Sequence, residues 1–380
     1  MKKKLKEICV FYSGTGFPTQ YQGEIEGEYP FYKVGDIANN VTAGKKYLEL
    51  CKNYISPDVA KTIKGCILPK DTVVFAKIGE ALKLNRRAIT SCDCLIDNNA
   101  MGIAPNGEYL RIQYFYFFMK NLKMQSLAES TTVPSVRKTK LEDYEIEVPS
   151  LDEQEEIEAK LSLTAEIIKK EKEELKKLDD LIKARFVEMF GDSASNEKGW
   201  KMNTFGDICT VRQGLQIPIS KRLTEYEEDS YEYITVQYLH GGKEKEYIKS
   251  PKESVKCTKD DILMTRTGNT GMVVTNVEGV FHNNFFLIDF DRERFEKDFL
   301  VEYLNLDLIQ ADITRRAGTS TIPDLNHGEF YKIKVFEPPI DLQKEFDEFK
   351  MQVDKSKVAV QKALDETQTL FDSLMQEYFG

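Results

Sequence analysis

Residues 151–189 read LDEQEEIEAKLSLTAEIIKKEKEELKKLDDLIKARFVEM, a stretch that contains neither glycine nor proline. Pro149 precedes it and its first turn is acidic, which is the pattern of a helix start. Apolar residues recur in it every seven positions, at Leu161, Ile168, Leu175, Ile182 and Met189. A strict seven-residue step makes a narrow apolar stripe, whereas a helix lying on a globular core needs a wider one. The stretch therefore predicts a long helix that pairs with another helix.

A second stretch of this kind occupies residues 340–380 and also follows a proline. Val353 and Val360 belong to one seven-residue series, and Leu364 and Phe371 belong to a companion series. At about 1.5 Å per residue, each helix would span on the order of 57 Å, which is longer than an ordinary domain helix. Each is the other's most available partner, so we predict that the two helices pair and act as a spacer.

Much of the sequence occurs twice at a fixed spacing. A shift of 189 residues places four blocks on four others: 70–79 on 259–268, 131–134 on 320–323, 149–154 on 338–343, and 189–191 on 378–380. With a slightly different shift, the pair Asn98 and Asn99 falls on Asn283 and Asn284. Four blocks in one register indicate two tandem copies of a single unit.

Each copy consists of a mixed region followed by a long helix. Short apolar runs such as residues 72–76 and 261–264 are bounded by glycine, proline, asparagine and aspartate, which indicates strands and turns. Residues 109–128 and 299–313 are the clearest additional helical stretches. The predicted fold class is therefore α+β, with four parts at residues 1–150, 151–192, 193–339 and 340–380.

The acidic excess of the chain is concentrated on the predicted helices. Overall, 53 Lys and Arg oppose 63 Asp and Glu, for a net charge of −10. Residues 151–192 and 340–380 carry −5 and −4, as expected for a solvated or protein-docking helix face. Residues 1–150 carry 21 basic and 17 acidic side chains, whereas residues 193–339 carry 19 and 24. A nucleic-acid partner is thus compatible with the first mixed region and less so with the second.

The sequence contains no signal for export, membrane insertion or metal binding. It has no 18-residue apolar run, and its first residues, MKKKLKE, lack the apolar segment of a signal peptide. None of the seven cysteines forms a CxxC pair, and there are three histidines. We therefore expect a cytoplasmic protein without a membrane span, with reduced thiols and with no metal site.

Motifs for catalysis are also missing. An adenine-N6 methyltransferase needs an Asn/Asp-Pro-Pro-Tyr/Phe loop, but the one Pro-Pro pair stands in the sequence EPPI at residues 337–340. The glycines of FYSGTG at residues 11–16 have the wrong spacing for a nucleotide-binding turn, so we interpret this segment as an ordinary turn. No phosphate loop and no HExxH motif occurs. We expect a non-catalytic chain with no catalytic residue and no cofactor of its own.

Polar, partly basic loops follow strands at matching places in the two copies. Arg and Lys suit phosphates and guanine edges, and Asn, Ser and Thr suit adenine edges and backbone oxygens. For any single residue, a solvated loop or a helix cap is an equally plain interpretation, but the recurrence favours the set as a whole. The candidate DNA-binding residues are Lys77, Lys83, Arg86, Arg87, Thr131, Thr132 and Arg137 in the first copy, and Arg266, Asn269, Thr270, Arg315, Ser320 and Thr321 in the second.

Two segments carry a family resemblance. Residues 149–157, PSLDEQEEI, and residues 178–192, LDDLIKARFVEMFGD, resemble the conserved helical region of type I restriction–modification specificity subunits. The resemblance covers the whole chain and implies two target-recognition domains, at residues 1–150 and 193–339, each followed by a conserved spacer helix. It implies that the helices form an antiparallel coiled coil and that the molecule is pseudo-two-fold symmetric.

The resemblance also implies a function and a set of partners. Each recognition domain would read one half of a gapped double-stranded DNA site, while the helices set the gap and dock two methylation subunits. The complex would methylate adenine N6 or, with restriction subunits, cleave unmodified DNA. S-adenosylmethionine would be bound by the methylation subunits, and ATP and Mg by the restriction subunits. The competing hypotheses are an enzyme in its own right and a coiled-coil scaffold that binds only protein.

Overall fold

The computed structural model describes residues 1–129, 133–193, 195–239, 241, 244–318 and 323–380. Helices and strands are mixed, which confirms the α+β fold class. The chain forms two compact units: unit 1 comprises residues 1–171 and 363–380, and unit 2 comprises residues 172–362. Each unit therefore contains one mixed domain, the first half of one long helix and the last half of the other.

Unit 1 builds its mixed domain from short elements. Its strands are β1 (Lys2–Lys4), β2 (Cys9–Ser13), β3 (Tyr29–Tyr32), β4 (Tyr47–Leu48), β5 (Tyr54–Ile55), β6 (Val73–Ala76), β7 (Ala88–Thr90), β8 (Leu95–Ile96), β9 (Ala100–Pro105) and β10 (Glu145–Glu147). Its helices are α1 (Leu5–Ile8), α2 (Val34–Thr42), α3 (Pro57–Thr62), α4 (Glu80–Lys83), α5 (Ile112–Asn121) and α6 (Lys138–Glu142), with 3-10 turns at Thr19–Tyr21 and Met124–Leu127. The first long helix, α7 (Leu151–Phe190), follows.

Unit 2 repeats this order. Its strands are β11 (Lys201–Thr204), β12 (Cys209–Gln213), β13 (Ser230–Ile234), β14 (Tyr247–Lys249), β15 (Lys256–Cys257), β16 (Ile262–Thr265), β17 (Val273–Val274), β18 (Gly279–Phe281), β19 (Phe285–Phe290) and β20 (Lys334–Glu337). Its helices are α8 (Phe205–Ile208), α9 (Val236–Leu239), α10 (Lys297–Asn305), α11 (Asp307–Ala317) and α12 (His327–Tyr331), with 3-10 turns at Ile219–Lys221 and Glu253–Val255. The second long helix is α13 (Ile340–Phe379). No helix in the described ranges is both long and apolar enough to cross a membrane.

The sheets of the two units share their strand order. Unit 1 has the order β2-β9-β6-β7-β4 and unit 2 the order β12-β19-β16-β17, with the first three strands of each antiparallel. A second sheet in each unit contains one parallel pair, β3 with β8 and β13 with β18. The tandem repeat inferred from the sequence is thus a repeat of topology.

Two expected helices are each broken. Residues 109–128 were expected to be helical, but α5 ends at Asn121, Leu122 is extended, and a 3-10 turn follows. Residues 299–313 fall in two helices, α10 and α11, because Leu306 between them is extended. One extended residue in unit 2, and two in unit 1 (Leu122 and Lys123), change the direction of the second segment, in which Met124 and Ile313 are buried.

The long helices combine two kinds of packing. Of the expected seam, Leu161, Ile168, Ile182, Met189, Val353, Leu364 and Phe371 are buried, while Leu175 and Val360 are half-buried. In unit 2 the helix halves run antiparallel, because Asp179 pairs with Lys357 at 2.7 Å and Arg185 pairs with Glu345 at 3.0 Å. Towards the end of α7, however, Phe186 and Phe190 are buried as well. That end has the wide apolar face of a helix packed on a globular core.

A buried glutamine fixes the start of each long helix. The Gln154 amide donates to the carbonyls of Tyr109 (2.8 Å) and Pro149 (3.0 Å) and accepts from the Arg111 backbone N–H (2.9 Å). In unit 2 the Gln343 amide makes the matching bonds: it donates to the carbonyls of Arg294 (3.0 Å) and Pro338 (2.8 Å) and accepts from the Glu296 backbone N–H (2.9 Å). Both side chains are fully buried. Each glutamine therefore ties its helix to the mixed domain that precedes it.

Replacing Gln343 with alanine is expected to lower the free energy of unfolding of unit 2 by about 3 kcal/mol, since three backbone groups, one buried and two partly buried, lose their partner. Gln154→Ala should cost unit 1 a similar amount. Denaturant titration followed by circular dichroism measures both, and the exposed Gln352→Ala on α13 is the matched control. An effect of Gln343→Ala no larger than that of the control would contradict this role.

The Asp347 carboxyl gives unit 2 a pH-dependent stability. Burial, together with the neighbouring Asp298 and Glu296, raises its pKa to about 7, although Lys350 opposes the shift. Because this folded-state pKa lies above the unfolded value of about 3.9, the stabilisation is complete below that value and is lost progressively as the pH rises from there through 7. Asp347→Asn should therefore raise the unfolding free energy at pH 8 by about 1–3 kcal/mol, after allowance for solvent screening, and raise it by clearly less at pH 5, which lies inside this pH window. An equal effect at both pH values, measured by denaturant titration, would contradict this assignment.

Candidate nucleic-acid interface

The ends of three strands and a later proline-containing segment meet at one edge of the main sheet in each unit. Because β9 runs antiparallel between β2 and β6, its first residue lies beside the last residues of those strands, as the pairs Ser13–Met101 and Ala76–Ala100 show. In unit 2, the pairs Gln213–Phe286 and Thr265–Phe285 likewise place the start of β19 beside the ends of β12 and β16. We call residues 13–15, 77–79, 97–99 and 133–137 edge 1, and residues 213–215, 266–271, 282–284 and 323–326 edge 2.

Backbone bonds join the predicted loops of each edge. In edge 1, the Val136 N–H donates to the Lys77 carbonyl at 2.9 Å, next to a bridge between Ile78 and Ser135. In edge 2, the Leu325 N–H donates to the Arg266 carbonyl at 2.9 Å, next to a bridge between Thr267 and Asp324. The two sets of contacts are related by the 189-residue shift. The loop after the strand and the later proline segment therefore converge in both copies.

A glycine lets the chain approach the edge closely. A Cβ on Gly14 would lie 1.7 Å from the Asp97 carbonyl oxygen, and one on Gly214 would lie 2.2 Å from the His282 carbonyl oxygen. The following residues, Thr15 and Leu215, donate to carbonyls of the neighbouring strands at 2.9 and 3.1 Å. The FYSGTG segment is therefore the end of a strand and a close backbone crossing.

Two cations of unit 1 are not neutralised, Lys77 in edge 1 and Arg86 after α4. Lys77 and Arg86 are partly exposed and pair with no carboxylate among the described residues. Lys83 pairs with Glu80 at 2.7 Å, and Arg137 pairs with Glu129 at 2.5 Å, both near the surface. Lys77 and Arg86 are thus the members of the predicted set that are best placed to meet a phosphate.

The structure corrects the interpretation of Arg87. Its side chain is 2% exposed and lies over the Phe75 ring at 4.8 Å. The guanidinium donates to the carbonyls of Met119 (3.2 Å) and Arg86 (2.8 Å) and to the Asn85 side chain (2.6 Å). Burial lowers its pKa to about 9. Arg87 supports the loop from inside, and its placement argues against a DNA contact.

In edge 2 the predicted polar residues mostly hold the loop itself. Arg266 donates to both carboxylate oxygens of Asp324, at 2.9 and 2.7 Å, and this bond holds the pKa of Asp324 below its usual range. The Thr270 hydroxyl donates to the carbonyls of Arg266 and Pro323, both at 3.1 Å. Asn269 is exposed, and Arg315, on α11, is exposed and pairs with Asp312. The described cations of edge 2 are therefore largely neutralised.

Four predicted residues lie outside the described part of the chain: Thr131, Thr132, Ser320 and Thr321. Other edge residues were not predicted. Asn98 and Asn99 are exposed in edge 1, and Asn283 and Asn284 occupy the matching turn of edge 2. The recurrence of Asn-Asn in both copies was the sequence signal for this turn.

Comparison with known proteins gives a consistent result. Residues 1–177 and 197–367 match the family model described as the type I restriction modification DNA specificity domain. The chain is 25% identical over 262 residues to the type I restriction enzyme MjaIX specificity subunit of Methanocaldococcus jannaschii, covering 63% of this chain and 58% of the relative. It is 22% identical over 161 residues to the MjaVIII specificity subunit of the same organism, covering 42% of this chain and 36% of the relative. The aligned part thus spans about half or less of these relatives.

Solved structures share the fold. A type I restriction–modification system S subunit from M. genitalium superposes with a TM-score of 0.61 at 17% identity, over 100% of this chain and 96% of the other. A chain from a structural study of complex assembly and conformational transition of the type I R-M system superposes with a TM-score of 0.56 at 16% identity, over 100% and 97%. At these identities the likeness concerns the fold.

Proposed function

The chain belongs to the type I restriction–modification specificity subunit family, and from this we propose that it supplies the DNA sequence specificity of such a complex. Each unit reads one half of a bipartite, gapped site, through edge 1 and edge 2. The chain itself is non-catalytic, and methylation of adenine N6 is carried out by two methylation subunits that bind S-adenosylmethionine. Restriction subunits that use ATP and Mg would add cleavage of unmodified DNA.

One observation carries this proposal. The same polar sheet edge is built twice, with matching backbone bonds at Lys77–Val136 and Arg266–Leu325, but with different side chains. A repeated frame with divergent lining is what a protein needs in order to read two different short sequences with one fold. A scaffold that binds only protein would have no use for this divergence.

The test is selection from a random duplex library by the full chain together with its methylation subunits. The proposal predicts enrichment of a motif with two short specified halves separated by an unspecified gap. The chain alone should bind weakly, because its net charge of −10 opposes the phosphate backbone. If the assembled complex enriches no motif, the scaffold hypothesis is favoured instead.

The unpaired cations of unit 1, Lys77 and Arg86, should act on one half-site only. Lys77→Ala and Arg86→Ala are each expected to weaken DNA binding several-fold and to reduce the slope of log affinity against log salt by about one, as for a lost phosphate contact. The second half-site should keep its preferences. The matched control is Lys2→Ala. Lys2 is exposed and lies in β1, which precedes the first residue of β2, whereas edge 1 begins at the last residue of β2. A change of preference in both half-sites would contradict the modular arrangement.

A further inference from the structure

A small polar cavity adjoins edge 2. It has a volume of about 230 Å³ and is lined by Arg222, Thr235, Gln237, His282 and Asn284. The last two belong to edge 2, and the Asn284 carbonyl accepts from the Arg266 N–H at 2.7 Å. Cavities for drug-sized ligands are usually larger, about 300–1,000 Å³. The space suits a single small group, such as the edge of one base.

Most polar groups that line the cavity are already engaged. The Arg222 guanidinium donates to Glu246 at 2.9 Å and to the Ile217 carbonyl at 2.9 and 2.7 Å. The Thr235 hydroxyl accepts from the Tyr238 N–H at 3.2 Å. His282 Nδ1 accepts from the Asn284 N–H at 3.1 Å, and burial, together with Arg222, holds the pKa of this imidazole below its usual value. A neutral His282 then has its proton on Nε2, where it is a donor.

Two amides in the lining are unengaged. The side chains of Gln237 and Asn284 make no hydrogen bond with any residue that the structure describes. Each offers a donor and an acceptor side by side, which is the arrangement that pairs with N6 and N7 of adenine. Arg222 is the one cation among the described lining residues, and Glu246 neutralises it. The cavity therefore favours a neutral base edge over a phosphate.

Unit 1 carries the same backbone with a different lining. The two units can be aligned on their parallel strand pairs, Phe31–Leu95 in unit 1 and Tyr233–Val280 in unit 2. Counting along the chain from these pairs, Lys33 is the counterpart of Thr235, Gly35 of Gln237, and Asp97 of His282. There the Lys33 ammonium donates to the Gln22 amide at 2.5 Å, and Asp97 accepts from the Val34 N–H at 3.1 Å. Only Asn284 keeps its type, as Asn99. The cavity positions thus differ between the copies while the surrounding frame is retained.

We infer that this cavity is a base-reading site of unit 2, in which the amides of Gln237 and Asn284 recognise the edge of an adenine in double-stranded DNA. The inference rests on the proposed function and adds to it the residues that determine one specified position. Positions 235, 237 and 282, with their counterparts 33, 35 and 97, set the difference between the two half-sites.

Gln237→Glu is the sharpest test, because glutamate keeps the shape of glutamine but only accepts hydrogen bonds, which suits the cytosine amino group. In library selection with the full chain and its methylation subunits, the preference at one position of unit 2's half-site should shift from adenine towards cytosine by about tenfold or more. Gln237→Ala should relax that same position. Asn39→Ala, at an exposed position of α2 in unit 1, is the control and should change neither half-site.

The outcomes separate the two levels of the proposal. If the wild-type complex selects no motif, the proposed function fails and the inference fails with it. If the wild type selects a gapped motif but Gln237→Glu selects the same one, the proposed function stands and the inference is overturned. A uniform loss at all positions also overturns it, provided that fluorescence of Trp200, the one tryptophan of the chain, shows unit 2 to be folded.

Discussion

Removing residues 168–174 together with residues 364–370 is expected to shorten the gap between the two DNA half-sites by about three base pairs. The two segments form a matched pair of heptads, since the Thr367 hydroxyl donates to the Glu171 carboxylate at 3.3 Å. Seven residues of helix are about 10 Å long, and one base-pair step is about 3.4 Å. A whole heptad also preserves the seven-residue register of the remaining seam.

Methylation mapping of the paired deletion would measure the gap directly. The single deletion of residues 168–174 is the control, because it breaks the pairing of the helices and should abolish activity. An unchanged gap in a paired-deletion protein that is folded and still directs methylation would refute the spacer role of the helices.

Replacing Phe186 with alanine is expected to destabilise unit 2 by about 3–5 kcal/mol. The ring is fully buried and contacts those of Phe190, Phe299 and Phe346, with centroids 4.8–5.5 Å apart. It joins the end of α7 to the core of unit 2, so its loss leaves a cavity where helix and domain meet.

Trp200 is a convenient reporter of this effect, because its indole N–H donates to the Phe190 carbonyl at 2.8 Å. Its fluorescence in a denaturant titration therefore follows unit 2. Val187→Ala, next in sequence but 46% exposed, is the control and should change the unfolding free energy by less than about 0.5 kcal/mol. Equal effects of the two substitutions would show that the end of α7 is not part of the core.

The repeat and the long helices could be predicted from the sequence because both depend on spacing. Shared blocks at one offset indicate shared topology, and a run without glycine or proline defines a helix almost to its last residue. The spacing of residues does not show what packs against each face of a helix. Met189 belongs to the seven-residue series and Phe186 does not, yet both are buried, because the end of α7 enters the core of unit 2.

The candidate site was predictable to a similar degree. Recurrence identified the loops at Lys77 and Arg266, which do lie at matching sheet edges. It could not separate Arg86 from Arg87, since neighbouring residues of one type differ only in the direction of their side chains. Nor could it locate the cavity beside edge 2, which depends on Arg222, Thr235 and His282, residues that are far apart in sequence and are brought together by the parallel pair β13 and β18.

If this chain specifies a two-part DNA sequence, the methylation of genomic DNA depends on it, and single-molecule sequencing of N6-methyladenine measures that dependence. DNA would be compared from cells with the gene, without it, and with the gene restored. We expect one bipartite, gapped motif that is methylated in the first and third samples and unmethylated in the second. A methylation pattern that is the same in all three, in cells that express the methylation subunits, would contradict it.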